Sequence, residues 1–310
     1  MFETSCIFMG TPKIAADVLK TMLDAGIKVD LVVTQPDKRV GRKQKITVSQ
    51  VKQVALDYGI DVFQPVRIRE DFQPILDKKP KLIVTCAYGQ IVPDEILNYP
   101  IYGCVNLHGS LLPKYRGGAP IQRAIWDGEK ISGMSLMKMA TKMDAGPVLD
   151  TEEILLDEKE TSTTLFERMA QAAGKLILKN YEIICSDKAE YVEQDLSEVT
   201  FAPIIKKEEE HIDLQQSDER ILCQIRALDR TPGAYFKVGN KKWKVFDVDY
   251  VTGTTQPCGV ITGWNYDSYT VSLHQGLLCI HTCQMEGKPV MSAKDFYNGQ
   301  GRNLVGRTVE

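Results

Sequence analysis

Cys104-Val105-Asn106-Leu107-His108-Gly109-Ser110-Leu111-Leu112-Pro113-Lys114-Tyr115-Arg116-Gly117-Gly118-Ala119-Pro120 is the most informative stretch of the chain. It opens as a buried-type apolar strand into which two polar residues are set. Asn106 and His108 are two apart, so on a strand their side chains point to the same face. They sit at the strand's C-terminal end, where open α/β sheets place their ligand crevices. The segment that follows, from Gly109 to Pro120, holds two prolines and three glycines. Such a loop can present backbone groups to a flat ligand at small entropic cost. Pro120 suits the first position of a helix, and Gly128 its end.

Upstream, the pattern of apolar strand and amphipathic helix repeats. Apolar runs at 5–9, 29–34, 81–86 and 103–108 read as strands, with helices expected after Pro12 and near 49–58 and 68–78. Strands alternating with helices imply an α/β fold with a mostly parallel sheet. Downstream, Leu165, Met169, Ala172, Ala173, Leu176 and Ile177 fall on one helical face, and Thr164 with Glu167 resembles a capping box. This helix is expected to close the domain near residue 185. Residues 195–215 are polar and charged and read as a linker, followed by a short helix at about 216–228. From Gly233 onward, short alternating segments separated by Gly, Asn and Pro predict a small β-barrel. The expected division is therefore 1–194, 195–215 and 216–310.

Bulk composition narrows the function classes. The chain has 310 residues, 43% hydrophobic and 25% charged, which suits a soluble protein of two domains. Its formal charge of −3 argues against coating nucleic acid by bulk charge but leaves room for a local basic patch. No apolar run approaches the roughly 20 residues a membrane span needs, and the first residues do not form a signal peptide. The eight cysteines have no framework spacing, so reduced thiols and a cytoplasmic location are expected. Cys279 and Cys283 flank His281, but the alternation there reads as a strand and no second ligand pair follows. No metal is expected.

A third polar residue completes the candidate site. Asp144 lies in Lys142-Met143-Asp144-Ala145-Gly146-Pro147, a turn after the strand Met134 to Met139, from which it could meet His108 across the crevice. Asn106, His108 and Asp144 are thus the candidate catalytic residues. Asn106 can donate its amide to a developing oxyanion. His108 can move protons, and Asp144 can orient His108 or accept the proton itself; the sequence leaves open which of the two is the base.

The chain resembles the methionyl-tRNA formyltransferases over nearly its whole length. The matching segments are Phe8-Met9-Gly10-Thr11-Pro12, Thr34-Gln35-Pro36-Asp37-Lys38 with Gly41-Arg42, Ala87-Tyr88-Gly89, Asn106 through Gln122, and Met143-Asp144-Ala145-Gly146. The resemblance implies a formyltransferase-type Rossmann-like domain followed by an OB-like barrel. It implies 10-formyltetrahydrofolate as donor, lying against Tyr88, Gly89, Gln90, Ile91 and Val92 and against Ser110, Leu111, Leu112 and Pro113. The implied acceptor is the α-amino group of methionyl-initiator-tRNA. A basic run fits that acceptor: Lys38, Arg39, Arg42, Lys43 and Lys45 follow a strand end on the side of the proposed crevice, within reach of an acceptor stem. By resemblance Arg42 is the leading contact among them. Leu214, where the family tends to have Trp, and Thr231-Pro232, in place of a more aromatic pairing, depart from the pattern. A monomer is expected. The alternatives are a folate formyl enzyme acting on a sugar amine or glycinamide ribotide, and a formyltetrahydrofolate hydrolase.

Overall fold

The computed structural model describes residues 2–40, 45–186 and 188–310, with the backbone alone of Val40 and Lys45. Arg42 and Lys43 lie outside the described residues. The chain divides into two compact units. Unit 1 comprises Met1–Pro120, Ile131–Leu155 and Leu165–Pro203; unit 2 comprises Ile121–Lys130, Leu156–Thr164 and Ile204–Glu310.

In chain order the elements of the first two-thirds are β1 Cys6–Gly10, α1 Lys13–Asp24, β2 Val29–Val33, β3 Lys38–Val40, β4 Lys45–Thr47, α2 Gln50–Asp57 and β5 Val62–Phe63. They continue with α3 Gln73–Asp77, β6 Ile83–Cys86, α4 Asp94–Leu97, β7 Cys104–His108, α5 Pro120–Trp126, β8 Ile131–Lys138, β9 Val148–Leu155 and α6 Ser162–Ile184. Seven strands form one sheet in the order β5-β2-β1-β6-β7-β8-β9. The pairs up to β7 are parallel, and β8 and β9 add antiparallel. All residues of β1 and β6 are buried, as parallel strands covered on both faces must be. Gly10 is paired with Cys86, and a Cβ on it would stand 2.6 Å from that of Ala15, so glycine is required where the chain leaves β1.

Several elements differ in detail from expectation. The helix expected at 68–78 is only Gln73–Asp77, because Pro74 has no N–H to donate and is accommodated only in a first turn. The helix α6 begins a turn before the expected Thr164–Glu167 box: Thr161 Oγ1 accepts from the Thr164 N–H at 3.3 Å. Its six predicted apolar positions are all buried. Within the basic run, Lys38–Val40 and Lys45–Thr47 pair as a two-stranded antiparallel ribbon, with Lys38 opposite Thr47 and Arg39 opposite Ile46. Asp37 fixes its base by accepting from Lys52 Nζ at 2.7 Å and Gln64 Nε2 at 2.8 Å. Residues 192–203 pair within unit 1. Val192 bridges Val148, and Thr200 and Ala202 bond the backbone of Arg116.

Unit 2 contains α7 Asp218–Ala227, β10 Tyr235–Val238, β11 Lys241–Thr252, β12 Ile261–Asn265, β13 Ser268–Ser272, β14 Gly276–Met285, β15 Met291–Ser292 and α8 Ala293–Phe296. Its strands run antiparallel in the order β10-β11-β14-β13-β12, with β15 beside β14. Residues 306–310 join the two edges. Val309 N–H donates to Gly259 and Ile261 N–H to Arg307, while Lys237 and Glu310 exchange both backbone bonds. Trp243, Tyr269 and Phe236 fill the interior. Cys283 belongs to that core, and His281 on the same strand contacts Asp249 at 3.1 Å.

Candidate active site

The register of β7 places the first polar side chain. Asn106 is paired with Thr85 of β6 and Met137 of β8. Thr85 is buried, and its hydroxyl donates to Asn106 Oδ1 at 2.8 Å. With Oδ1 turned to that hydroxyl, the NH₂ is the other end of the amide and the one able to donate.

His108 lies two residues further along the same face and is buried to 6% exposure. Its Nε2 stands 2.9 Å from the carbonyl oxygen of Tyr115. A carbonyl can only accept, so the hydrogen is assigned to Nε2, and Nδ1 is the free lone pair of the neutral ring. Asp144 Oδ1 lies 3.7 Å from that Nδ1, beyond a direct hydrogen bond but within a favourable Coulomb distance for a protonated ring. The other carboxylate oxygen, Oδ2, accepts from the Gly117 N–H at 2.9 Å. The Asp144 backbone is left-handed at φ 49°, a conformation in which Asp is more at ease than most side chains. Asn106, His108 and Asp144 therefore converge at the C-terminal end of β7, and all belong to unit 1.

The loop after β7 is held by serines. Ser110 Oγ donates to Lys114 O at 2.6 Å, while Ser135 Oγ donates to Ser110 O at 2.7 Å and accepts from Leu112 N–H at 3.0 Å. Leu111, Leu112 and Pro113 are partly exposed. In the second expected donor segment, Tyr88 is buried in the core and its ring faces away from solvent. Gln90 is committed to the scaffold: its Oε1 accepts from Ile68 N–H at 2.8 Å and its Nε2 donates to Pro65 O at 3.2 Å. Val92 is buried as well, which leaves Gly89 and Ile91 as the exposed members. Burial pushes the nearby Cys86 and Cys104 thiols up to about 12, so neither is a nucleophile near neutrality.

An amide donor, an imidazole and a carboxylate at one strand end suit acyl transfer to an amine. The family models agree with that chemistry. "Formyl transferase" matches residues 4–180, and "Formyl transferase, C-terminal domain" matches residues 204–301. The methionyl-tRNA formyltransferase of Malacoplasma penetrans (strain HF-2) is 37% identical over 305 residues, covering 98% of this chain and 96% of the relative. The chain belongs to the methionyl-tRNA formyltransferase family.

Another methionyl-tRNA formyltransferase, from Bacillus thuringiensis (strain Al Hakam), is 40% identical over 94% of this chain and 95% of its own length. Among solved structures, HypX from Aquifex aeolicus in complex with tetrahydrofolic acid shares the fold. The TM-score is 0.69 at 15% identity, over 96% of this chain and 47% of HypX. In this member of the methionyl-tRNA formyltransferase family, the supports of the three polar residues were not visible in the sequence. Thr85 reads as one more buried strand residue, and Ser135 as an interruption in an apolar run. Gln194 and Thr200 lie in a polar segment with nothing to mark them, although Gln194 Nε2 bonds the Asp144 carbonyl and Thr200 Oγ1 accepts from Tyr115 N–H.

Proposed function

We propose that the chain transfers the formyl group of 10-formyltetrahydrofolate to the α-amino group of methionyl-initiator-tRNA, giving N-formylmethionyl-tRNA. The observation that carries this reading is the convergence of Asn106, His108 and Asp144 at the end of β7 in a member of this family. An α-amino group has a reference pKa of about 7.7–8.0, so part of it must lose a proton before attack. The amine nitrogen then bonds to the formyl carbon, and the carbonyl electron pair moves onto oxygen. Asn106 NH₂ stabilises that oxyanion, a role in which one donor contributes about 3–4 kcal/mol. His108 Nδ1 takes the proton from the amine, and the imidazolium so formed faces Asp144. When the tetrahedral carbon collapses, the bond to the folate nitrogen breaks and that nitrogen receives the proton. The geometry thus favours His108 as the base and Asp144 as the group that stabilises its charge.

Folate as donor is supported by family membership and by the fold shared with HypX, which was solved with tetrahydrofolic acid. The segment from Ser110 to Pro113 and the exposed Gly89 and Ile91 are the surfaces we assign to it. Lys38 and Arg39, exposed on the β3–β4 ribbon, together with Arg42, Lys43 and Lys45, are assigned to the tRNA. The enzyme works in the cytoplasm as a monomer. The test is to incubate purified protein with 10-formyltetrahydrofolate and methionyl-initiator-tRNA and to measure formyl-methionyl-tRNA by acid gel. Formylation that needs the charged tRNA is the expected result, with Asn106→Ala slowed about 100- to 1000-fold while remaining folded. Formate release without any amine would instead indicate a hydrolase.

A further inference from the structure

Gln194 lies in the segment after α6, half-buried between exposed neighbours. Its Nε2 donates to the carbonyl oxygen of Asp144 at 2.9 Å and to that of Gly146 at 2.7 Å. Its Oε1 accepts from Arg116 Nε at 3.1 Å and Nη2 at 2.8 Å. Two donors and two lone pairs are all an amide has, and here each is used. The orientation is therefore fixed: carbonyls cannot donate and a guanidinium cannot accept, so the flipped amide would lose every one of these bonds. Arg116 is itself buried, at 2% exposure.

The partners of this one amide are the two halves of the candidate site. On one side is the turn that carries Asp144 in its left-handed conformation. On the other is Arg116, flanked by Tyr115, whose carbonyl holds His108 Nε2, and by Gly117, whose N–H holds Asp144 Oδ2. We propose that Gln194 is a positioning residue that sets the distance between Asp144 and His108 for formyl transfer. The inference rests on the reading of these two side chains given above. Gln194 touches no reacting atom; it acts through the two backbone segments that it joins. Misplacement of a catalytic group by about 1 Å can cost on the order of 100-fold in rate, so loss of the amide is expected to appear in turnover rather than in substrate binding.

Two variants separate positioning from mere folding. Gln194→Met removes all four bonds at nearly constant volume. Gln194→Glu keeps an oxygen for Arg116 but sets its other carboxylate oxygen against the Asp144 and Gly146 carbonyls. For each, kcat in formylation is expected to fall roughly 10- to 100-fold, with KM for both substrates within about twofold of wild type. The Nδ1 and Nε2 ¹⁵N resonances of His108 are expected to shift in both variants while circular dichroism does not change. Should Gln194→Met fail to fold, Gln194→Glu carries the same expectations. Unchanged kcat with unchanged His108 resonances would overturn the proposal, as would a rise in KM at constant kcat. A wild-type protein that forms no formyl-methionyl-tRNA would defeat the proposed function alone, since the His108 resonances test the positioning role without any turnover.

Discussion

At Asn106, a single hydroxyl decides what the side chain can do. The one hydrogen of Thr85 Oγ1 is shared among Asn106 Oδ1 at 2.8 Å, the Val105 carbonyl at 3.0 Å and Met139 Sδ at 3.3 Å. Replacing Thr85 with Val keeps the shape and removes the donor, so the amide of Asn106 is free to rotate end for end. Thr85→Val is expected to lower kcat about tenfold and stability by about 1 kcal/mol, with KM unmoved, as steady-state formylation and a denaturant melt would report. A kcat equal to wild type would mean that Asn106 is oriented by something other than Thr85. Asn106 and His108, which we assign to the site, were legible as a pair because two residues apart on a strand fixes a shared face whatever the rest of the fold does. The partners that orient them were not. Thr85 meets Asn106 only through strand register, and Gln194 meets Asp144 only through a return of the chain 50 residues later. Neither kind of contact leaves a periodicity behind.

Among the elements, α2 and β7 came out as expected because their signals are local. Ser49 caps α2 by accepting from Lys52 N–H at 3.0 Å, and the apolar run of β7 is bounded by Gly103 and Gly109. The antiparallel β9 was not foreseen, since Val148-Leu149-Asp150-Thr151-Glu152-Glu153 is only partly buried and carries no clear alternation. In unit 2, α7 is tied to the β13–β14 turn by one carboxylate. Asp218 accepts from His274 N–H and Gln275 N–H, each at 2.9 Å, and from Tyr250 Oη at 2.7 Å. Burial opposes its charge, but the bonds from Tyr250, Gln275 and His274 outweigh that and hold the carboxyl below its ordinary value. A carboxyl held low stabilises the fold above the unfolded-state value of about 3.9, and that contribution is lost as pH falls through the lower folded value. Asp218→Asn is expected to lower stability by about 1–3 kcal/mol at neutral pH. It is also expected to flatten the loss of stability on acidification below about pH 4, measured as urea midpoints at a series of pH values. Parallel acid limbs for variant and wild type would show that Asp218 does not supply this term.

On the scale of the whole molecule, a net charge of −3 gives no hint of a nucleic-acid substrate, and the basic character is concentrated locally on the β3–β4 ribbon and the residues between its strands. The ribbon's anchorage through Asp37, Lys52 and Gln64 keeps its base fixed to the sheet. Arg42→Ala is expected to raise KM for methionyl-tRNA about tenfold while the KM for 10-formyltetrahydrofolate stays within a factor of about two, because a lost phosphate contact weakens nucleic-acid binding and little else. Equal changes in both would remove the run from the tRNA surface. The architecture of two units was visible in the change of texture near residue 233, yet the interleaving of their chain segments was not. Excursions at 121–130 and 156–164 belong to unit 2 although they lie deep inside the sequence of unit 1. The brace at Gln194 also bears on how the enzyme is made. A ribosome delivers the chain from its N-terminus at about 5–20 residues per second, so Gln194 follows Asp144 by roughly 3–10 s. During that interval the nascent chain carries Asn106, His108 and Asp144, while the amide that joins Asp144 to Arg116 has yet to be synthesised. On the positioning role proposed for Gln194, full rate is thus reached late in translation, well after the last of the three side chains assigned to the site has been added.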